Sequence, residues 1–224
     1  MSDASRPDTA LTSMLAFVAG FVDTCGFVAL YGLFSAHVTG NFVLLGASLV
    51  LPHAGVVAKL LALPVFMCAV AATRWRLIRA GGTGLRGVLA AEAVFLLLFL
   101  AAGVTATPIR DADAPAAVTA AMLAIVAMGI QNAASRTVLA SLSPTTVMTG
   151  NVTQIVLDLV DVAAAATQDA RSAARARVAK FGPPVIAFAL GAAGGALGFG
   201  WSGFWCLAVP VAALVVLWVR SARA

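Results

Sequence analysis

The residues of this chain that could do chemistry are few, and they sit in apolar surroundings. Asp23 falls near the middle of an apolar run over 11–34, where an isolated carboxylate is costly and marks a place for binding substrate or a proton. Thr39, Gly40 and Asn41 form a TGN triplet that returns as Thr149, Gly150 and Asn151. Asparagine is a favoured N-cap, glycine tolerates the non-helical turn before it, and threonine satisfies backbone groups locally. A helix starting near Asn41 or Asn151 would aim unpaired N–H groups and a partial positive charge at the break, which suits an anion or a hydrogen-bonding solute. The other reading is that Thr and Asn satisfy a buried break in the backbone and bind nothing. Gln131 and Asn132 add amides, and Arg136, one turn beyond Asn132, could reach across to Asp23 either beside a ligand or as a register-fixing ion pair.

The remaining polar side chains carry weaker signals. Asp158 and Asp161 lie one turn apart; such a pair can hold a Mg²⁺-diphosphate or relay protons, but it reads more simply as a solvated exit face paired with Arg171 or Arg175. Glu92 follows Arg86 by less than two turns, so it is expected to snorkel or pair at the interface, and Lys59 and Lys180 at segment starts are read the same way. His37 precedes the first TGN, but its counterpart in the second is Val147, which makes it a weaker proton switch. With 2 His, no HExxH, no GxSxG and no Cys–His cluster, no catalytic residue, metal site or cofactor is expected. The 3 cysteines lie in apolar runs and read as small core residues.

These residues must be positioned by membrane-embedded helices. The chain is 62% hydrophobic and 10% charged over 224 residues, with a mean hydropathy of +1.01, which is far from a soluble composition. No cleaved signal peptide is expected at its start. Its net charge of +5 sits in short loops where it would set orientation, so no nucleic-acid partner is expected. Taking about 20 apolar residues as a crossing, spans are expected over 11–34, 56–73, 87–104, 116–139, 181–200 and 203–219. Two stretches remain, 38–51 and 146–166. The first reaches only about 21 Å as a helix, and the second carries Asp158 and Asp161, so both are expected to be half-helices or re-entrant hairpins.

Loop charge supports this count. Arg74, Arg76, Arg79 and Arg86 in one connection, and Arg171, Arg175, Arg177 and Lys180 in another, should both be cytoplasmic. They share a side only if 146–166 does not cross. If 38–51 does not cross either, both termini are cytoplasmic. The four tryptophans fall near predicted segment ends, as interfacial anchors should.

An internal repeat organises the whole. GFVD at 20–23 answers GIQN at 129–132, VTGN at 38–41 answers MTGN at 148–151, and Lys59 with Pro64 answers Lys180 with Pro184. With an odd number of crossings in each half, the copies have opposite orientation, an inverted-topology repeat. The expected organisation is a polar tail over 1–10, a first membrane repeat over 11–105, an external loop over 106–115 and a second repeat over 116–220. The expected fold class is thus an all-α membrane protein with six crossings and two short re-entrant segments.

The arrangement GFVD…AHVTGNFV followed by AMGIQNAASR…VMTGNVTQ resembles the YoaK family of bacterial membrane proteins, a domain-of-unknown-function family, over nearly the whole chain. The resemblance implies a bacterial inner-membrane location and no established substrate. The residues themselves favour a small secondary transporter or facilitator of a polar or anionic solute, with a midplane site at Asp23, Thr39, Asn41, Gln131, Asn132, Thr149 and Asn151. A passive channel of the same architecture and a membrane interaction or assembly protein are the alternatives. The small-xxx-small run over 191–200 would pack helices closely, within one chain or across a homodimer.

Overall fold

A computed structural model describes residues 5–51, 54–81 and 84–222, with side chains from residue 9 onward. The protein is 79% helix, and among the described residues there is no strand. The helices are α1 (Ser5–Ala29), α2 (Gly40–Ala47), α3 (Val56–Arg79), α4 (Leu85–Ala106), α5 (Pro115–Ser135), α6 (Met148–Ala164), α7 (Gln168–Ser202) and α8 (Ala208–Arg220), with a short 3-10 helix at Gly203–Leu207 before α8. Among the described residues, five stretches are long and apolar enough to cross a membrane: Thr9–Ala29, Val56–Arg79, Leu85–Ala106, Pro115–Ser135 and Gln168–Arg220. This is an all-α membrane protein.

The first expected crossing ends earlier than its hydropathy suggests. Helix α1 stops at Ala29 because Tyr31 (φ 55°) and Gly32 (φ 79°) take left-handed conformations that turn the chain back. Helix α5 likewise stops at Ser135 rather than 139. Helix α2 has 8 residues and is about 12 Å long, far too short to cross. Helix α6 fills most of its stretch with 17 residues. The largest departure is α7, which runs for 35 residues and starts at Gln168 instead of 181, continuing through Pro183 and Pro184. Hydropathy marks where lipid could begin; it is blind to a helix that extends past the lipid. The last long stretch bends at Gly203, whose φ of 56° is open to glycine.

Local contacts fix the directions. Tyr31 Oη donates to Ile109 O (2.9 Å), Val57 N to Asp113 Oδ1 (2.9 Å) and Lys59 Nζ to Tyr31 O (2.9 Å). The end of α1, the start of α3 and the α4–α5 connection therefore meet at one end of the bundle. Gly129 of α5 lies against Ala69 and Phe66 of α3, so those helices run parallel from that end. Gly191 and Gly195 of α7 abut the carbonyl oxygens of Phe17 and Phe21 in α1, which makes α1 and α7 parallel as well. Helix α8 runs back along α4: Phe204 stacks on Phe99 with centroids 5.6 Å apart, and Arg86 lies 4.8 Å over Trp218. Both arginine-rich segments consequently lie at the other end of the bundle.

The packing order runs α6, α7, α1, α5, α3, α2, with α4 on α5 and α8, and α8 on α1. The core lies where α1 and α4 pack on α5, around Val18, Val22, Ala124, Met128, Leu96 and Phe99. Gly191, Gly194, Gly195 and Gly198 are consumed inside the chain by Phe17, Phe21 and Cys206. Trp75, Trp201 and Trp205 are strongly exposed near helix ends. Cys25 and Cys206 are buried 3.7 Å apart, as small core residues should be, whereas Cys68 is exposed on α3.

Candidate functional site

Each chain break folds back onto the helix it leaves, and polar side chains pin it there. In the first, Asp23 sits six residues before the end of α1. Its Oδ1 accepts from Ser35 N (2.7 Å), Ala36 N (2.7 Å) and Ser35 Oγ (3.3 Å), and its Oδ2 meets His37 Nδ1 at 2.6 Å. The carboxylate is buried while His37 is 38% exposed. The hydrogen bond to Asp23, whose negative charge favours the protonated ring, raises His37 above the usual histidine range. Asp23 is also one wall of a cavity of about 240 Å³ lined by Thr24, Phe27 and Phe34.

Asn41 completes this break. Its Nδ2 donates to Phe34 O (2.8 Å) and its Oδ1 accepts from Phe34 N (3.0 Å). The helix starts at Gly40, one residue before the asparagine, and Thr39 makes no side-chain cap. The N–H groups of Gly40, Asn41 and Phe42 donate to the carbonyls of His37, Val38 and Thr39. The start of α2 thus spends its donors on its own loop.

The second break is built the same way with different atoms. Asn132 Oδ1 accepts from Thr146 Oγ1 (2.7 Å), and its Nδ2 donates to Met128 O (3.0 Å). Gln131 Nε2 donates to Thr145 Oγ1 (2.9 Å) and across to Leu15 O of α1 (2.8 Å). Asn151 Nδ2 donates to Pro144 O (2.7 Å), the counterpart of the Asn41 bond, but proline offers no N–H in return. Helix α6 starts at Met148, three residues before Asn151 and without a side-chain cap. Thr149 and Gly150 are exposed. Lys180 Nζ donates to Ser141 O (2.8 Å) as Lys59 Nζ does to Tyr31 O.

The residues expected to share one midplane site are therefore divided between two clusters. Asp23, Thr39, Gly40 and Asn41 belong to the first; Gln131, Asn132, Thr149, Gly150 and Asn151 belong to the second. Gln131 touches α1 at Leu15, eight residues or about 12 Å along the helix from Asp23. The two short helices do not meet tip to tip, since α2 packs on α3 and α6 on α7. Arg136 is exposed at the C-cap of α5 and forms no pair with Asp23, whose partner is His37. The geometric reason is that Arg136 lies beyond the last turn of α5 at the arginine-rich end, whereas Asp23 approaches the opposite end. Ser35, Thr145 and Thr146 were not singled out from sequence; the signal available was a hydroxyl in the residues before each TGN.

The acids of α6 pair with an arginine other than those expected. Arg177 Nε donates to Asp158 Oδ1 (2.6 Å) and its Nη2 to Asp161 Oδ2 (3.0 Å), while Arg171 Nη2 donates to Ala165 O. Gln154 Nε2 adds a bond to Asp158 Oδ1 (3.1 Å). Because α7 extends past Lys180, Arg177 is brought alongside Asp158. Glu92 does not snorkel: its side chain is fully buried, and among the described residues neither oxygen has a hydrogen-bond partner. It lies on the same face of α4 as Phe99 and Gly103, which turns it toward the core. Among the described residues, no group of three or more His, Cys, Asp or Glu could hold a metal ion.

A family model described as "Protein of unknown function (DUF1275)" matches residues 11–219. The chain belongs to this family, of which the YoaK proteins are members. No curated protein matches it, and no solved structure does.

Proposed function

We propose that this member of the DUF1275 family is a small secondary transporter or facilitator of a small polar solute in the bacterial inner membrane. In this reading α1, α3, α4, α5, α7 and the 3-10 helix with α8 are six crossings. The segments over 38–51 and 146–166 are re-entrant, and the halves form an inverted repeat. The observation that carries it is the matched pair of polar breaks on antiparallel helices. Asn41 with Phe34 O answers Asn151 with Pro144 O, and Lys59 with Tyr31 O answers Lys180 with Ser141 O. Exchanging the halves also turns the α1–α7 packing into α5–α3, and α6–α7 into α2–α3. The arginine-rich end, which holds the start of α1 and the end of α8, faces the cytoplasm by the positive-inside rule.

We put the solute site at Asp23 and His37, because Asp23 borders a cavity and its partner His37 keeps a partly exposed side chain. A neutral, hydrogen-bonding solute suits it better than an anion, because the helix N-terminus that would hold an anion has its donors occupied. Access would alternate by rocking of one repeat against the other, giving each cluster its turn facing an aqueous side. Proteoliposome uptake of urea, acetate, formate and nitrate tests this: saturable uptake with counterflow supports a carrier, and flux that does not saturate supports the channel version of the same architecture. A reporter fused at Arg175 that reads periplasmic would defeat the topology.

The assembly reading draws on a specific observation too, since both TGN asparagines are occupied by backbone. It predicts that Asp23→Asn and His37→Gln leave every flux unchanged. The transport reading predicts that both abolish it.

A further inference from the structure

Asp23, Lys59, Gln131 and Asp158 all have hydrogen-bond partners. Glu92 stands apart: it is 0% exposed and both its carboxyl oxygens lack a partner among the described residues. It lies six residues, about 9 Å, into α4 from Arg86, between the Arg86–Trp218 and Phe99–Phe204 contacts. The elements packed on α4 are α5, α8 and the 3-10 helix. Helix α5 contains no titratable residue. Helix α8 has only Arg220 at its last position, and the 3-10 helix has only Cys206, which is paired with Cys25. On α4 itself the one other charged side chain is Arg86, stacked on Trp218. Across the cavity, Arg76 of α3 lies beside Gly87 of α4 but forms no ion pair with Glu92; among the described residues no cation pairs with the carboxyl, and an ionised one would be an uncompensated charge in a low-dielectric interior.

A cavity of about 410 Å³ lies beside this position, between α3, α4 and α5. It runs from Ala69 and Phe95 deep in the bundle to Arg76, Ala80 and Gly84 at the arginine-rich end, and Val88 and Ala91 of α4 form part of its wall. Glu92 is not itself a lining residue but follows Ala91 in the chain, one position around α4 from the wall of a space that reaches the arginine-rich end. We infer that Glu92 is a proton-binding site loaded and emptied from the cytoplasmic side through this cavity. The resting conformation holds the neutral acid. When α4 turns or α3 moves away, the carboxyl meets cavity water and gives up its proton to form hydronium, and it is reprotonated before the core closes. Its use as the coupling proton rests on the transport reading above, but its occupancy is measured without any flux.

Infrared difference spectra of wild type minus Glu92→Gln in lipid nanodiscs at neutral pH read that occupancy directly. A protonated-carboxyl C=O band present in wild type, absent in Glu92→Gln and shifted in Glu92→Asp is expected. Glu92→Met replaces Gln if the amide fails to fold. Transfer to D₂O should downshift the band, and filling the cavity with Ala91→Trp should slow that exchange several-fold, while Leu197→Trp on an exposed face of α7 leaves its rate unchanged. Absence of the band means that Glu92 is ionised and overturns the site. A band whose exchange ignores Ala91→Trp overturns the route. Either result leaves the Asp23–His37 flux experiment standing, and loss of flux with the band intact leaves the proton site standing.

Discussion

Asn41 and Asn151 each donate to a carbonyl seven residues earlier, yet replacing them should have unequal consequences. Asn41 is 1% exposed and holds both the N–H and the carbonyl of Phe34, at 3.0 and 2.8 Å. Asn151, also 1% exposed, holds one carbonyl, that of Pro144 at 2.7 Å. A buried polar group left without its partner costs about 1–3 kcal/mol, so Asn41→Ala strands two groups and should cost roughly twice as much as Asn151→Ala, which strands one. For a chain of this size each kcal/mol is worth about 2–4 °C in melting temperature. Aspartate separates the positions further. At 41 it sets a carboxylate against the Phe34 carbonyl but keeps an acceptor for Phe34 N–H, so it should be milder than the same change at 151. At 151 it loses the only donor and sets a carboxylate against the Pro144 carbonyl, so it should be at least as harmful as alanine. Thermal unfolding in detergent, followed by a thiol-reactive dye at the buried Cys25 and Cys206 in a Cys68→Ser background, reads all four variants. Equal shifts for the two alanine variants, or an Asn151→Asp protein as stable as wild type, would refute the reasoning.

Gly191→Ala places a methyl group into the Phe17 carbonyl and should lower the melting temperature markedly, whereas Gly200→Ala, with nothing within 4 Å, should leave it unchanged. Arg177→Ala leaves the buried Asp158 carboxylate without its cation, and Asp158→Asn in the same chain should recover most of the lost stability on denaturant unfolding. Because Asp23 raises His37, the stability contributed by that pair should be full below about pH 6.5, the ordinary histidine value, and fade as pH rises through the folded value. The melting-temperature gap between wild type and His37→Gln should accordingly shrink toward alkaline pH, and a gap that widens would contradict the pairing.

Much of this architecture was legible in the chain because hydropathy, helix-breaking residues and repeats are local properties. The apolar runs marked the stretches long enough to cross a membrane, and the TGN triplets marked where the short helices α2 and α6 begin. Tertiary structure decided the neighbours. Lipid-facing and core-facing sides of a membrane helix are both apolar, so nothing in α4 announces that Glu92 points inward, and nothing around the TGN segments tells that α2 and α6 lie apart. The partner of Asp23 was equally hidden: Arg136 suited it by charge, but the turn at Tyr31 and Gly32 carries His37 back to the carboxylate first. Sequence spacing measures distance along a chain, and a chain that reverses direction between two residues brings together what spacing keeps apart.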